Sequence, residues 1–258
     1  MKIIAISNQK GGVGKSTTAL NLGTALSMTG KKVLLVDLDP QANLSEYLKY
    51  STDGSPTITS LIRMVIGNTP INSNITDLGI RHNEDNDLDY IPADLGLASA
   101  EQYMVTAMSR ETILKRILSH ASFSEYDYIL IDCLPSLGVL LINALTAADG
   151  VIIPTQTQKF SADGLQALLN LTEQVQATLN PKITIYGILP TMVDRTNMSR
   201  KTLDEFRNSY GGKVFSTYIS KSVDAQNSTV TGISVCRKKM KLGEQYKALA
   251  EELMEVVK

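Results

Sequence analysis

Residue types that build metal centres and covalent cross-links are scarce in this chain. Two cysteines and two histidines occur in 258 residues. Cys133 and Cys236 are far apart and lack metal-ligand spacing, which excludes a disulfide framework and fits a reducing compartment. His82 and His120 stand alone, so a histidine-based metal site is not expected. No run of about 18 apolar residues is present, and the first residues read as a strand rather than a secretory leader, so the chain is expected in the cytoplasm with no membrane span. Internal repeats and low-complexity tracts are missing as well. Apolar content, by contrast, is ample. Hydrophobic residues make up 43% of the chain, enough to bury a full α/β core, and no long polar linker divides it. One domain spanning 1–258 is the expected organisation.

Strands and helices alternate along the sequence. Strands are predicted at Lys2–Ser7, Lys32–Asp37, Asp89–Pro92, Tyr128–Asp132, Gly150–Pro154, Ile183–Leu189 and Lys213–Tyr218. Several are unbroken apolar runs of the kind found in sheets covered on both faces. Helices are predicted at Lys15–Thr29, Ala98–His120, Gly138–Ala148, Ser161–Leu179, Ser199–Tyr210 and Gly243–Val257, with glycine or Asn-Pro punctuation at several ends. Ser51–Asp89, rich in Asn, Asp, Ser and Thr, reads as surface loops around one short helix near Ile58–Ile66. The pattern is that of a doubly wound α/β fold, a mostly parallel sheet with helices on both faces, whose ligand sits at the carboxyl ends of the strands.

Residues 10 to 17 read Lys10-Gly11-Gly12-Val13-Gly14-Lys15-Ser16-Thr17, directly after the apolar run Lys2–Ile6. A strand that ends in a glycine-rich turn and enters a helix aims several backbone N–H groups and the positive end of the helix dipole at one point, and polyphosphate is the ligand that fits. Gly11, Gly12 and Gly14 let the backbone approach phosphate oxygens, Lys15 reaches the β and γ phosphates, and the Ser16 hydroxyl holds Mg²⁺. The general Walker pattern has a glycine where this chain has Gln9, and it has no requirement for Lys10.

Two acidic stations follow. Val33–Val36 runs into Asp37-Leu38-Asp39, placing two carboxylates at a strand end with alternate spacing, so that both point the same way. One orients water and the other supports the metal shell. Tyr128–Ile131 ends in Asp132, the Walker B arrangement for Mg²⁺.

Net charge is −1 overall but uneven. Residues 1–194 hold 13 Lys and Arg against 19 Asp and Glu; residues 195–258 hold 12 against 7. Arg195, Arg200, Lys201, Lys213, Lys221 and the run Arg237, Lys238, Lys239 and Lys241 are therefore candidates for one electropositive surface facing nucleic-acid phosphates.

Asn8 to Thr17, Leu35 to Asn43, and Asp132-Cys133-Leu134-Pro135-Ser136-Leu137-Gly138 together resemble the deviant Walker A ATPases, in particular the ParA/Soj partition branch of the ParA/MinD superfamily. The resemblance extends over nearly the whole chain, including Leu189 to Asp194 and the closing helix. It implies an ATP- and Mg²⁺-dependent homodimer in which Lys10 crosses to the partner's phosphates. It also implies that Asp39 helps activate the attacking water, that Asp37 supports the first switch, and that Asp132 belongs to the second. Adenine contacts fall near Thr191 and Met192 and around Ser220-Lys221. The implied activity is partition of DNA: the ATP dimer binds double-stranded DNA without sequence preference and is nucleoid-associated, and a ParB-like centromere-binding protein stimulates hydrolysis.

Two departures stand out. Leu134-Pro135 replaces a Pro-Pro pair, and Ile219-Ser220-Lys221 replaces a frequent Ile-Pro-Arg, losing a preset turn and a planar donor fork. No amino-terminal helix-turn-helix precedes Met1, so operator-specific repression is not expected. One rival is a MinD-like membrane-surface ATPase, which calls for a basic amphipathic terminal helix, whereas residues 244–257 are acidic. Another is an electron-transfer ATPase like the nitrogenase iron protein, which calls for two cysteines per subunit placed to share a cluster.

Overall fold

The computed structural model of the chain describes residues 1–70, 77–157, 162–194 and 196–258. Among them, β1 (Lys2–Ile6), β2 (Val33–Leu38), β3 (Arg81–Asn83), β4 (Leu88–Ile91), β5 (Tyr128–Cys133), β6 (Gly150–Gln156) and β7 (Thr184–Thr191) form one sheet in the order β3-β4-β2-β5-β1-β6-β7. Every neighbouring pair is parallel except the edge pair of β3 and β4. The apolar strands alternate between two cores. Ile3, Ala5, Leu34, Val36, Ile129 and Ile131 face one side, packed by α3 (Ile58–Ile66), α4 (Gly96–Thr106), α5 (Ile113–Leu118), α6 (Val139–Ala147) and α7 (Ala162–Thr178). Ile4, Ile6, Val33, Leu35, Tyr128 and Leu130 face the other, packed by α1 (Lys15–Ser27) and α10 (Lys241–Val256). The doubly wound expectation holds.

Two sequence expectations are corrected. Residues 213–218 do not form a strand: only an isolated bridge joins Val214 to Ile188. The reason is competition for donors, because the Ser216 and Thr217 N–H groups donate to the Glu252 carboxylate on α10, at 2.6 and 2.9 Å. Residues 98–120 are not one helix. Ser109 adopts φ 53°, a 3₁₀ turn follows at Arg110–Thr112, and α5 begins afresh at Ile113. Asn143 on α6 fixes that break, accepting from Leu114 N–H at 3.0 Å and donating to the Arg110 carbonyl at 2.7 Å. The predicted start of the next helix at Ser161 lies outside the described residues.

Three short elements were not anticipated: β3, α2 (Asn43–Tyr47) and α9 (Val223–Thr231). α8 (Asn197–Tyr210) begins at Thr196, whose side chain accepts from Ser199 N–H. The acidic α10 buries Leu242, Tyr246, Leu249 and Leu253 against α1. Freeing its three leucines would cost roughly 5–9 kcal/mol at about 1.5–3 kcal/mol each, a large part of a domain's whole stability. α10 is therefore a core helix rather than a detachable amphipathic anchor. Among the described residues no helix is long and apolar enough to cross a membrane.

Candidate nucleotide site

The loop between β1 and α1 is shaped by its glycines. Gly12 and Gly14 have φ of 71° and 90°, a region that side chains disfavour, and a Cβ on either, or on Gly11, would project into open space. Asn8 holds the loop's root, donating to the Pro154 carbonyl at 2.7 Å and accepting from Lys10 N–H at 2.9 Å. Lys15 is only 7% exposed, and its Nζ lies 3.4 Å from the Lys10 carbonyl. The loop thus curls around its own lysine. Its residues Gly11 to Thr17 form part of the wall of a cavity of about 560 Å³.

Strand register brings in the acids. Asp37 pairs with Asp132 across β2 and β5, and Asp132 pairs with Ile6 across β5 and β1. By the alternation above, both carboxylates lie on the α1 side, at the level where the glycine loop begins. Asp39, two residues beyond Asp37, lines the cavity itself.

The three acids are held differently. Asp37 is committed to the protein: one oxygen accepts from Asp39 N–H at 3.1 Å, and the other accepts from the Ser45 N–H and hydroxyl at 2.9 and 2.7 Å. Burial raises its pKa to about 6, opposed by those Ser45 and Asp39 bonds. The Asp39 Oδ1 accepts from Gln41 N–H at 2.9 Å, closing a turn that leads through Ala42, at φ 53°, into α2. Asp132 is fully buried, and neither of its oxygens completes a hydrogen bond. Burial and the nearby Asp37 charge raise its pKa well above the ordinary carboxylate range, while the Ser16 hydroxyl beside it and the Lys15 ammonium oppose the rise. Lys15 mirrors this: burial lowers its pKa, and the charges of Asp132 and Asp39 pull it back up.

A buried carboxylate with both oxygens unpaired is costly unless something else completes its shell. Ser16 and Asp132 supply the hard oxygen donors that Mg²⁺ prefers. Among the described residues no three His, Cys, Asp or Glu side chains converge as a self-sufficient metal cage. That suits an ion that keeps waters and takes further ligands from phosphate. Asp37 stands behind this pair, its oxygens spent on positioning Ser45 and Asp39 rather than facing the cavity.

A pH effect follows. The folded-state pKa of Asp37, about 6, exceeds the ordinary 3.8, so the folded chain binds the extra proton between those values and gains stability as pH falls through 6. The melting-temperature difference between parent and Asp37→Asn, measured without nucleotide, is expected to move in the parent's favour from pH 7 to pH 5. A flat difference would contradict the burial argument.

The remaining wall comes from elements that sequence reasoning located only in part. Thr191 ends β7, and its hydroxyl donates to the Val13 carbonyl at 2.9 Å, tying that strand to the glycine loop. Met192 follows with φ 52°. Both line the cavity, as do Ile219, Ser220 and Tyr246. Gln41, Asn43 and Tyr47 of the α2 segment also line it. These and Ser45 were missed because a five-residue helix carries too little periodicity to read.

The basic residues separate. Arg195 lies outside the described residues. Lys221 lines the nucleotide cavity rather than a remote patch. The Arg237 guanidinium donates to the Asn86 carbonyl at 2.6 Å and sits 3.8 Å from Asp87, so it secures a loop. Lys239 and Lys241 are exposed and Lys238 half-buried, and none of the three forms an ion pair among the described residues. Arg200 is exposed, while Lys201 pairs with Glu205 at 3.9 Å.

The chain is similar to known proteins. A family model described as AAA domain matches residues 1–185. The sporulation initiation inhibitor protein Soj of Bacillus subtilis is 41% identical over 98% of this chain and 98% of its own length. The chromosome partitioning protein ParA of Caulobacter vibrioides is 38% identical over 98% of this chain and 94% of its own. Among solved structures, cobyrinic acid a,c-diamide synthase from Mycobacterium smegmatis with bound ATP analog and magnesium superimposes with a TM-score of 0.83 at 33% identity, covering 99% of this chain and 95% of that one. Glycine loop, paired acids and full-length similarity agree, and the chain belongs to the ParA/Soj family of chromosome-partitioning ATPases.

Proposed function

We propose that this chain is a Mg²⁺- and ATP-dependent switch that dimerises on ATP, binds double-stranded DNA without sequence preference, and is reset by hydrolysis under the influence of a DNA-bound partner protein. The observation that carries the reading is the buried, unpaired Asp132 carboxylate beside Ser16 and Lys15, level with the start of the glycine loop. The backbone N–H groups of Gly11 to Thr17 and the Lys15 ammonium hold the phosphates, and Ser16 and Asp132 hold the metal. Mg²⁺, when bound, supplies neutralisation of phosphate charge. Asp39 orients the attacking water from the cavity wall. Lys10, half-buried on the loop's outer stretch, reaches the phosphates of a second copy, as the family resemblance implies.

Release follows from the same bonds. Asp39 and Asp37 lead through Gln41, Ala42 and Ser45 into α2, so loss of the γ-phosphate slackens the first switch, and residues 134–138 after Asp132 form the second. Exposed Lys239 and Lys241 on two joined subunits act together, which gives avidity for phosphate backbones that salt weakens.

A gel shift on non-specific duplex DNA with ATP, ADP or no nucleotide, repeated across salt, tests the reading. Retardation is expected only with ATP and only at low salt; equal retardation in all three conditions would remove the switch. Lys239→Glu with Lys241→Glu is expected to abolish retardation while ATP turnover persists. Arg237 is unsuitable for that test because its loss also frees the Asn86 loop.

A further inference from the structure

The loop Ile219-Ser220-Lys221 lines the nucleotide cavity, and its backbone is stitched to the end of β7. Ile219 N–H donates to the Pro190 carbonyl at 2.8 Å, Val193 N–H to the Ile219 carbonyl at 3.0 Å, and Lys221 N–H to the Val193 carbonyl at 2.9 Å. Those bonds leave one donor in the loop unused by β7, the Ser220 N–H. It goes instead to Gln245 Oε1 on α10, at 3.0 Å, while Gln245 Nε2 donates to the Ser220 hydroxyl oxygen at 2.8 Å.

The polarity of this pair is forced. A backbone N–H can only donate, so the Gln245 atom facing it must be the carbonyl oxygen. The amide nitrogen must then face the hydroxyl, which has to accept. The Ser220 hydroxyl hydrogen is thereby turned away from Gln245. A proline at 220 could make neither bond, so the pair depends on the departure from proline here.

We propose that Gln245 is a positioning residue for nucleotide-base recognition: it holds Ser220 so that the hydroxyl donates into the cavity, to a ring-nitrogen acceptor of the bound purine. This rests on the nucleotide reading above. The phosphates are claimed by the glycine loop, and Ser220 shares its part of the wall with Thr191, Met192 and Tyr246, none of which belongs to that loop. Gln245 acts through Ser220 and has no role in the chemical step.

The test is titration of the parent, Gln245→Leu, Gln245→Glu, Ser220→Ala and Ser220→Ala with Gln245→Leu against Mg²⁺·ATP and, separately, against Mg²⁺·tripolyphosphate, which has no base. One neutral hydrogen bond is worth about 1 kcal/mol, or roughly fivefold. Each single variant is expected to weaken ATP by about fivefold or somewhat more, and the double variant no further, because both changes remove one interaction. Gln245→Glu keeps an acceptor for Ser220 N–H but also accepts the hydroxyl hydrogen, so it is expected to lose affinity as Leu does. Tripolyphosphate affinity is expected to stay at the parental value in all four. Parental ATP affinity in Gln245→Leu or in Gln245→Glu would overturn the proposal, as would a parallel loss for tripolyphosphate, which would mark a general loosening of the fold. A parent chain that binds tripolyphosphate but shows no preference for ATP overturns the base-contact inference alone; a parent that binds neither overturns the nucleotide reading with it.

Discussion

Lys15→Ala is expected to abolish measurable nucleotide binding. The side chain is 7% exposed and lies in the field of Asp132 and Asp39. On the function proposed above, its ammonium is the cation that allows a triphosphate, itself highly charged, to approach buried carboxylates. The phosphates lose charge-assisted hydrogen bonds of about 1.5–3 kcal/mol each, and nothing then offsets the repulsion between polyphosphate and the buried carboxylates. A loss of at least a hundred- to a thousandfold follows, measured by calorimetry or by a fluorescent ATP analogue. The fold itself is expected to survive. With the cation gone, one influence that holds the Asp132 pKa down is removed, which further disfavours a bare buried charge there. Circular dichroism would show native helix content in a protein that no longer binds. Retention of parental ATP affinity would move the phosphate site away from this loop.

What could be read in advance, and what could not, divides by the range of the interactions. The glycine loop and the acidic strand ends are local: strand, turn and helix start are adjacent in sequence, and Asp37 and Asp132 each close an apolar run. The parallel sheet was legible for the same reason, since Ile129 to Ile131 and Val33 to Val36 are runs only a doubly covered strand would carry. Residues 213–218 failed because their extended sequence is occupied by Glu252, 35 or 36 positions away. The long helix expected from residue 98 failed because Asn143 caps a new start at Ile113. Arg237 reads as one of a surface cluster in the sequence, but its guanidinium is bound to the Asn86 carbonyl, 151 positions away. The Ser220 and Gln245 pair was equally hidden: the departure from Ile-Pro-Arg was visible, but its compensation lies on another helix. Each of these four is a side chain of distant origin capturing a backbone group, and no periodicity reports that.

Asp39→Ala and Asp39→Asn are together expected to separate water activation from loop geometry. Asp39 is 6% exposed, lines the cavity, and uses one carboxylate oxygen to hold Gln41 N–H at 2.9 Å. That bond shapes the turn into α2, where Ala42 already sits at φ 53°. Alanine removes both the turn and the charge. Asparagine keeps an acceptor for Gln41 N–H and removes only the charge. If Asp39 acts on the attacking water, both variants lose about a hundredfold or more in turnover, the usual scale for a positioned base. ATP affinity stays within a few-fold, because the glycine loop and Lys15 are intact. The ATP-bound form then persists, and DNA retention outlasts that of the parent in a chase with excess ADP. If the carboxylate merely shapes the turn, Asp39→Asn hydrolyses ATP at the parental rate and Asp39→Ala alone is slow. That second pattern would transfer the water to another cavity-wall group, with Gln41 and Asn43 the nearest in sequence, and would leave Asp39 as a fixture of the first switch.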